Sequence, residues 1–172
     1  MPEIRLELLT PAHLGDMVAL AVDPDTVRFT RVPDPMPDGW IESWIAAYEQ
    51  GRRDGTREAF AIVGDQGEFL GVAFAVHIDR PGRSVELGYV VAPPARGAGV
   101  ARRALVLLTD WAFAELAALR SELRISAANE ASKGVARRAS YRYEGTMRSL
   151  HLKGDVREDT EIWSRLPDDP LD

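Results

Sequence analysis

The chain has 172 residues, of which 45% are hydrophobic and 28% charged, and it carries a formal net charge of −6 without any cysteine. The acidic balance argues against nucleic acid as the main partner, and the lack of cysteine excludes disulfides, thiolate metal ligands and a cysteine nucleophile. No apolar run approaches the ~18 residues of a membrane span, so we expect no membrane partner. The lack of cysteine is typical of a cytoplasmic protein, and we expect that location.

The first third of the chain predicts a strand and two helices. Alternating apolar residues over 4–9 indicate the strand, and Thr10 followed by Pro11 marks the start of a helix over 11–22. Residues 23–39 contain four prolines, which predicts a loop without regular structure. Asp38 is the expected cap of a second helix, which ends within residues 51–55. Its apolar stripe consists of Trp40, Ile41, Trp44, Ile45 and Tyr48.

The rest of the chain alternates between strand patterns and two further helices. Strands are expected over residues 57–64, 68–79, 83–92, 121–129, 141–152 and 160–166, with a polar hairpin loop at 153–159. One helix is expected over 130–140. A longer helix is expected over 97–119, with a buried face of Val100, Ala104, Leu107, Leu108 and Trp111.

This order of elements predicts an α/β (α+β) fold around one mixed sheet. The strand–helix–strand segment over residues 85–128 should form a right-handed crossover, which makes its two strands parallel. We expect a single domain over residues 1–172, with a frayed tail from about residue 167.

A glycine-rich segment lies where a strand gives way to the longest helix. It consists of Arg96, Gly97, Ala98, Gly99, Val100 and Ala101. The first turn of a helix has unpaired amides and a partial positive charge, and glycine lets an anion approach them closely. The segment therefore predicts a diphosphate site, with a simple tight turn as the alternative. It lacks the third glycine of a dinucleotide fingerprint and the Lys-Ser/Thr of a P-loop.

Two sequence blocks resemble the GNAT N-acetyltransferases. Arg96, Gly99 and Ala101 match the family's acyl-CoA motif Arg/Gln-x-x-Gly-x-Gly/Ala. Residues 86–105, ELGYVVAPPARGAGVARRAL, and residues 129–148, NEASKGVARRASYRYEGTMR, are similar to the branch that contains the RimJ/RimL ribosomal-protein N-terminal acetyltransferases. The resemblance implies a mixed sheet of about seven strands, splayed between strands four and five and flanked by about four helices.

The resemblance also implies how acetyl-CoA, the acyl donor, would be held. A bulge in the fourth strand and the gap beside the fifth would expose the backbone of Val90 and Val91 to the pantetheine arm. Amides from Arg96 to Ala101 would hold the diphosphate. Asn129 and Lys133 would contact the coenzyme, although Asn129 is also a good helix cap and Lys133 is equally a solvated surface base.

For the transfer chemistry, the resemblance assigns Ser132 as the acid that protonates the departing thiolate. Glu86 is the candidate base, and its structural alternative is a solvent-facing strand carboxylate. Many relatives use a tyrosine seven residues after the asparagine, but this chain has Ala136 there. Tyr141 is expected to pack in the core, with a phenol near the tip of the pantetheine arm as the alternative. The three histidines fit no metal-ligand spacing, and no metal is expected.

The acceptor side is expected between residues 28–48 and the C-terminal hairpin, with Arg28, Arg31 and Trp40 lining a substrate cleft. The primary hypothesis is acetyl transfer to a peptide α-amine, with a homodimer as a possible assembly. One alternative is acylation of a small-molecule amine, such as an antibiotic or a polyamine, or use of succinyl-CoA. Another is a non-catalytic CoA sensor.

Overall fold

The computed structural model describes residues 3–170. Seven strands form one sheet: β1 (Ile4–Leu8), β2 (Glu58–Gly64), β3 (Phe69–Asp79), β4 (Ser84–Val91), β5 (Arg120–Ser126), β6 (Arg142–Lys153) and β7 (Val156–Arg165). Five α-helices accompany it: α1 (Leu14–Ala21), α2 (Pro24–Phe29), α3 (Trp40–Asp54), α4 (Val100–Glu115) and α5 (Glu130–Arg138). Short 3-10 turns lie at Pro11–His13 and Pro93–Ala95.

The sheet has the strand order β1-β2-β3-β4-β5-β7-β6, and β4 and β5 are its parallel neighbours. These two strands pair only where Ser84–Leu87 lies opposite residues 120–123. Beyond Leu87, β4 continues to Val91 while β5 continues to Ser126, and no pairing joins them. The predicted parallel pair and the predicted splay between strands four and five are both confirmed.

The bulge expected in the fourth strand lies in the third instead. Ala75 pairs with Leu87 and His77 pairs with Glu86, so the extra residue is Val76 of β3. A bulge leaves its own extra residue outside the ladder. The free backbone edge of β4 therefore results from the early end of its pairing with β5.

A fifth helix, α2, lies in the proline-rich segment that was predicted to be a loop. The Asp23 side chain accepts a hydrogen bond from the Thr26 amide and so caps this helix, while Pro24 occupies its first position. Proline is compatible with that position because the first-turn amide has no helical partner. Asp38 does not cap α3, because Gly39, with a φ of +74°, is the residue at its start.

Two cores cover the two faces of the sheet, because alternate side chains of a strand point to opposite sides. The α4-face core includes Leu87, Val91, Leu105, Leu108, Leu123 and Trp163. The α3-face core includes Leu9, Ile41, Ile45, Tyr48 and Val72. On α4, Leu105 is fully buried, whereas the predicted core positions Leu107 and Trp111 are only partly buried.

The C-terminal hairpin is longer than predicted, because most of the expected loop 153–159 belongs to the strands. Lys153 of β6 pairs with Val156 of β7 across a two-residue turn. After β7, the Leu166 amide donates to Asp169, which also pairs with Arg142 at 3.0 Å. The last two residues of the predicted frayed tail lie outside the described residues. No helix within residues 3–170 combines the length and apolarity that crossing a membrane requires.

Candidate active site

The glycine-rich segment presents a row of unpaired backbone amides at the start of α4. The Arg96 amide donates to the Pro93 carbonyl at 3.2 Å, and the Arg103 amide donates to the Gly99 carbonyl at 3.1 Å. Between them, the amides of residues 97–101 have no acceptor within the described part of the chain. The free amides therefore begin at Gly97, one residue later than the sequence predicted.

Two glycines shape this segment. Gly97 has a φ of +78° and Gly99 has a φ of +85°, values in the left-handed region that glycine adopts without strain. A Cβ atom placed on Gly97 would meet no other atom within 4 Å, so the space in front of the segment is open. Free amides, the N-terminus of a helix and open space together suit a phosphate-bearing ligand.

The Arg96 side chain joins this segment to α2. Its Nε donates to the Val91 carbonyl at 3.0 Å, and its terminal nitrogens pair with Asp23 and with Asp25, the latter at 3.0 Å. The hydrogen bond from Arg96 lowers the pKa of Asp23, because it stabilises the charged carboxylate. Arg96 thus links the end of β4 to α2, and the two aspartates already balance the positive charge of its guanidinium.

Val90 and Val91 lie in the part of β4 that has a strand on one side only. They pair with Val72 and Gly71 of β3, and β5 offers them no partner. The strands approach so closely here that a Cβ atom on Gly71 would lie 2.2 Å from the Val90 carbonyl oxygen. The Val90 carbonyl therefore faces β3. The backbone groups of successive strand residues point to alternate sides, so those of Val91 face the gap, where its carbonyl accepts from Arg96.

The start of α5 forms the opposite side of the gap. The Asn129 side chain accepts a hydrogen bond from the Ser132 amide at 3.0 Å, which confirms Asn129 as the cap of this helix. Ser132 lies in the first helical turn and is half-buried.

Lys133, which the sequence predicted as a coenzyme contact with a solvated surface base as the alternative, is neither exposed nor unpaired. It is 8% exposed, and its Nζ donates to the Ala127 carbonyl at 2.8 Å. The same ammonium pairs with Glu161 at 3.2 Å and with Glu130. These partners occupy its donors, so Lys133 fixes α5 to β5 and β7 and is not a free phosphate ligand.

Glu86 lies on the α3 face of β4, beside the gap. Its side chain is 17% exposed, and its carboxylate lies 3.4 Å from the Arg124 guanidinium, which also pairs with Glu122 at 3.0 Å. Burial raises the pKa of Tyr48 on α3, and the nearby charge of Glu86 raises it further. Glu86 is therefore a partly shielded carboxylate on the side of the sheet that α3 covers.

Tyr141 is a core residue, as predicted. It is 3% exposed, and its hydroxyl lies 2.7 Å from both Thr109 and Ser121. Burial raises its pKa to about 12.

A cavity of about 680 Å³ separates the loop after α2 from the β6–β7 hairpin. Its lining consists of Arg31, Val32, Pro33, Asp34, Leu150, His151, Leu152, Lys153 and Gly154. Of the three residues predicted for a substrate cleft, Arg31 lines this cavity. Arg28 instead pairs with Glu158 at 2.7 Å, and Trp40 packs half-buried against the α3-face core.

Lys153 belongs to the hairpin that the sequence predicted as the second wall of the acceptor side, whereas His151 was assigned no role. The contacts that place them join segments far apart in the chain. The Lys153 ammonium donates to the carbonyls of Thr30 and Val32 at 2.9 and 2.6 Å and ties the hairpin to the loop after α2. Burial lowers the pKa of both Lys153 and His151, and the positive charge of Arg31 lowers that of His151 further. The described residues contain no group of three or more His, Asp or Glu side chains that could hold a metal ion.

Several solved structures share this fold. RimL, a ribosomal L7/L12 α-N-protein acetyltransferase in complex with coenzyme A, has a TM-score of 0.88 at 18% identity, covering 97% of this chain and 96% of its own. The spermidine N-acetyltransferase of Vibrio cholerae, in complex with CoA and spermine, has a TM-score of 0.85 at 17% identity, covering 96% of each chain. The microcin C7 self-immunity acetyltransferase MccE, in complex with acetyl-CoA and AMP, has a TM-score of 0.86 at 17% identity, covering 95% and 92%.

No curated protein sequence matches the chain significantly. The acetyltransferase (GNAT) domain model, however, matches residues 3–142, which include the glycine-rich segment and the start of α5. The open gap between β4 and β5 and the free amides at α4 agree with that match. The chain therefore belongs to the GNAT acetyltransferase family.

Proposed function

We propose that this protein transfers the acetyl group of acetyl-CoA to the α-amine at the N-terminus of a peptide or protein, as a member of the RimJ/RimL-like branch. The observation that carries the proposal is the row of free amides at residues 97–101 beside the unpaired edge of β4. The similarity in fold to RimL supports the choice of a peptide α-amine.

Acetyl-CoA would supply the activated acyl group, and backbone atoms of this chain would hold most of it. The amides of residues 97–101 would bind the diphosphate, aided by the positive end of α4. The backbone amide of Val91, on the edge of β4 that faces the gap, would bond the pantetheine arm, whereas the backbone of Val90 faces β3. Asn129 would contribute by holding the first turn of α5 beside the gap. The side chains of Arg96 and Lys133 are engaged elsewhere and are not part of this site.

Glu86 and Ser132 would handle two protons of the transfer. Glu86 takes one proton from the acceptor ammonium and so makes the amine neutral. The nitrogen then forms a bond to the acyl carbon and loses its second proton to solvent, while the C–S bond breaks and the thiolate takes a proton from Ser132. Ser132 recovers its proton from solvent and Glu86 releases the one that it accepted, so the products are an amide, a free thiol and one proton.

An α-amine suits a single carboxylate base. A peptide α-amine has a pKa of roughly 8, whereas a lysine side chain has a pKa of roughly 10.4, so the α-amine is much more easily made neutral. Because both reactants are held in one cleft, positioning supplies a large share of the rate. The cavity lining favours the same acceptor over a polyamine, because Asp34 is its one carboxylate whereas Arg31 and Lys153 are cationic.

Replacing Ser132 with alanine should lower kcat about tenfold while CoA affinity changes less than threefold, since the hydroxyl acts on the thiolate that forms late. Steady-state thiol release and calorimetric titration with CoA measure the two quantities. Ser126→Ala, which changes a hydroxyl on β5 outside α5, is the matched control. A wild-type kcat in the Ser132 variant would remove this side chain from the mechanism.

The experiment that tests the function is a thiol-release screen with acetyl-, propionyl- and succinyl-CoA against peptides, polyamines and aminoglycoside antibiotics, read out by mass spectrometry. We expect turnover with acetyl-CoA and peptides with a free N-terminus, and none when the same peptides are N-terminally blocked. Turnover restricted to polyamines or antibiotics would replace the peptide acceptor. Tight CoA binding without turnover on any amine would favour a coenzyme sensor.

A further inference from the structure

Tyr89 has a buried hydroxyl that forms no hydrogen bond of good geometry with any residue in the described range 3–170. The residue lies on β4, two positions beyond Leu87, where the pairing with β5 ends. Its ring packs against the α4-face core, and its oxygen has no hydrogen-bond partner within the described part of the chain. Native proteins rarely leave a buried hydroxyl without a hydrogen-bond partner, because nothing then compensates its loss of hydration.

The groups around this hydroxyl belong to the transfer site. Burial raises the pKa of Tyr89 to about 12, and its interaction with the Ser132 hydroxyl on α5 opposes that rise. The charge of Arg138 on α5 opposes it as well. The phenol therefore keeps its proton at neutral pH and is available as a hydrogen-bond donor between β4 and the first turn of α5.

We infer that Tyr89 contacts the coenzyme, and that its O–H donates to an acceptor atom on the pantetheine–thioester arm when that arm enters the gap beside Ser132. This inference rests on the proposed function, because the coenzyme's arm would accept the hydrogen bond from the phenol. It adds a side-chain donor to a site that was otherwise built from backbone atoms, Asn129 and Ser132.

Tyr89 would act as a donor and not as the acid of the reaction. Burial raises the pKa of Tyr89 to about 12, so the phenol keeps its proton at neutral pH, as a hydrogen-bond donor requires. A retained O–H instead fixes the arm and favours negative charge on it as the C–S bond breaks. The acid remains Ser132 in the proposed mechanism.

The test is Tyr89→Phe, which removes the oxygen and leaves the ring. The variant should be at least as stable to heat as the wild type without ligand, because it loses an unsatisfied hydroxyl. Its Kd for CoA should rise about tenfold. Its Kd for adenosine 3′,5′-bisphosphate, a fragment without the arm, should remain within twofold of the wild-type value.

The matched control is Tyr141→Phe. That hydroxyl is bonded to Thr109 and Ser121, so its removal should lower the unfolding temperature and leave the Kd for CoA unchanged. The inference is overturned if Tyr89→Phe binds CoA like the wild type, or if it weakens the fragment as much as CoA. A wild-type protein that fails to bind CoA would overturn the proposed function instead.

Discussion

Gly99→Glu should abolish CoA binding in a protein that still folds. The new carboxylate would lie at the start of α4, where the free amides of residues 97–101 would bind the diphosphate. Two like charges about 4 Å apart repel by roughly 4 kcal/mol near a protein surface, which corresponds to about a thousandfold loss of affinity. The φ of +85° at Gly99 adds strain for any other residue. Calorimetric titration with CoA measures the effect.

Gly39→Glu provides a matched control for this substitution. Gly39 precedes α3 as Gly99 precedes α4, and its φ and ψ of +74° and +6° nearly equal the +85° and +3° of Gly99. Both variants therefore suffer the same backbone strain and add the same charge at a helix start. Only the Gly99 variant should lose CoA affinity, and a folded Gly99→Glu protein with wild-type affinity would refute the assignment of the diphosphate site.

Glu86→Gln should lower kcat at least a hundredfold at pH 7 and leave the Kd for CoA nearly unchanged. A positioned general base contributes on the order of 10²–10⁴ to the rate, and glutamine cannot accept the amine proton. The deficit should shrink as the pH rises above ~8, because a growing share of the peptide α-amine is then already neutral. A pH profile of kcat for both proteins measures this convergence.

Glu122→Gln is the control for Glu86, since Glu122 lies opposite it on β5 and pairs with the same Arg124. Loss of a carboxylate from this pair of strands should by itself have little effect on turnover. If the two variants lose the same activity, Glu86 serves only to hold Arg124. If Glu86→Gln keeps wild-type activity at pH 7, the reaction has no need of this base.

The fold could be predicted largely because its signals are local. Strand alternation, helical apolar spacing and the glycines before α4 are visible in short windows of sequence, and they gave the order of elements around the parallel β4–β5 pair. The helix α2 was missed because its prolines suggested a chain break. Pro24 is in fact at the first helical position behind the Asp23 cap, a position that local sequence also permits.

The backbone part of the site was predictable for the same reason, since it depends on glycine and on where a helix begins. The side-chain part was not, because its partners are distant in sequence. Arg96 meets Asp23 across 73 positions, and Lys133 meets Glu161 across 28. The unpartnered hydroxyl of Tyr89 likewise emerges only once β4, α4 and α5 are packed together. A sequence identifies charged residues, but it does not show which of them are already paired.

Titration of the isotope-labelled protein with CoA, followed through backbone amide resonances, tests the central claim most directly. We expect the amides of residues 97–101 to shift strongly and to become protected from exchange, while the Arg96 amide, already bonded to Pro93, changes little. Pantetheine, which has no diphosphate, should leave residues 97–101 unperturbed. If CoA saturates the protein without moving these five resonances, the diphosphate is bound elsewhere and the account is wrong.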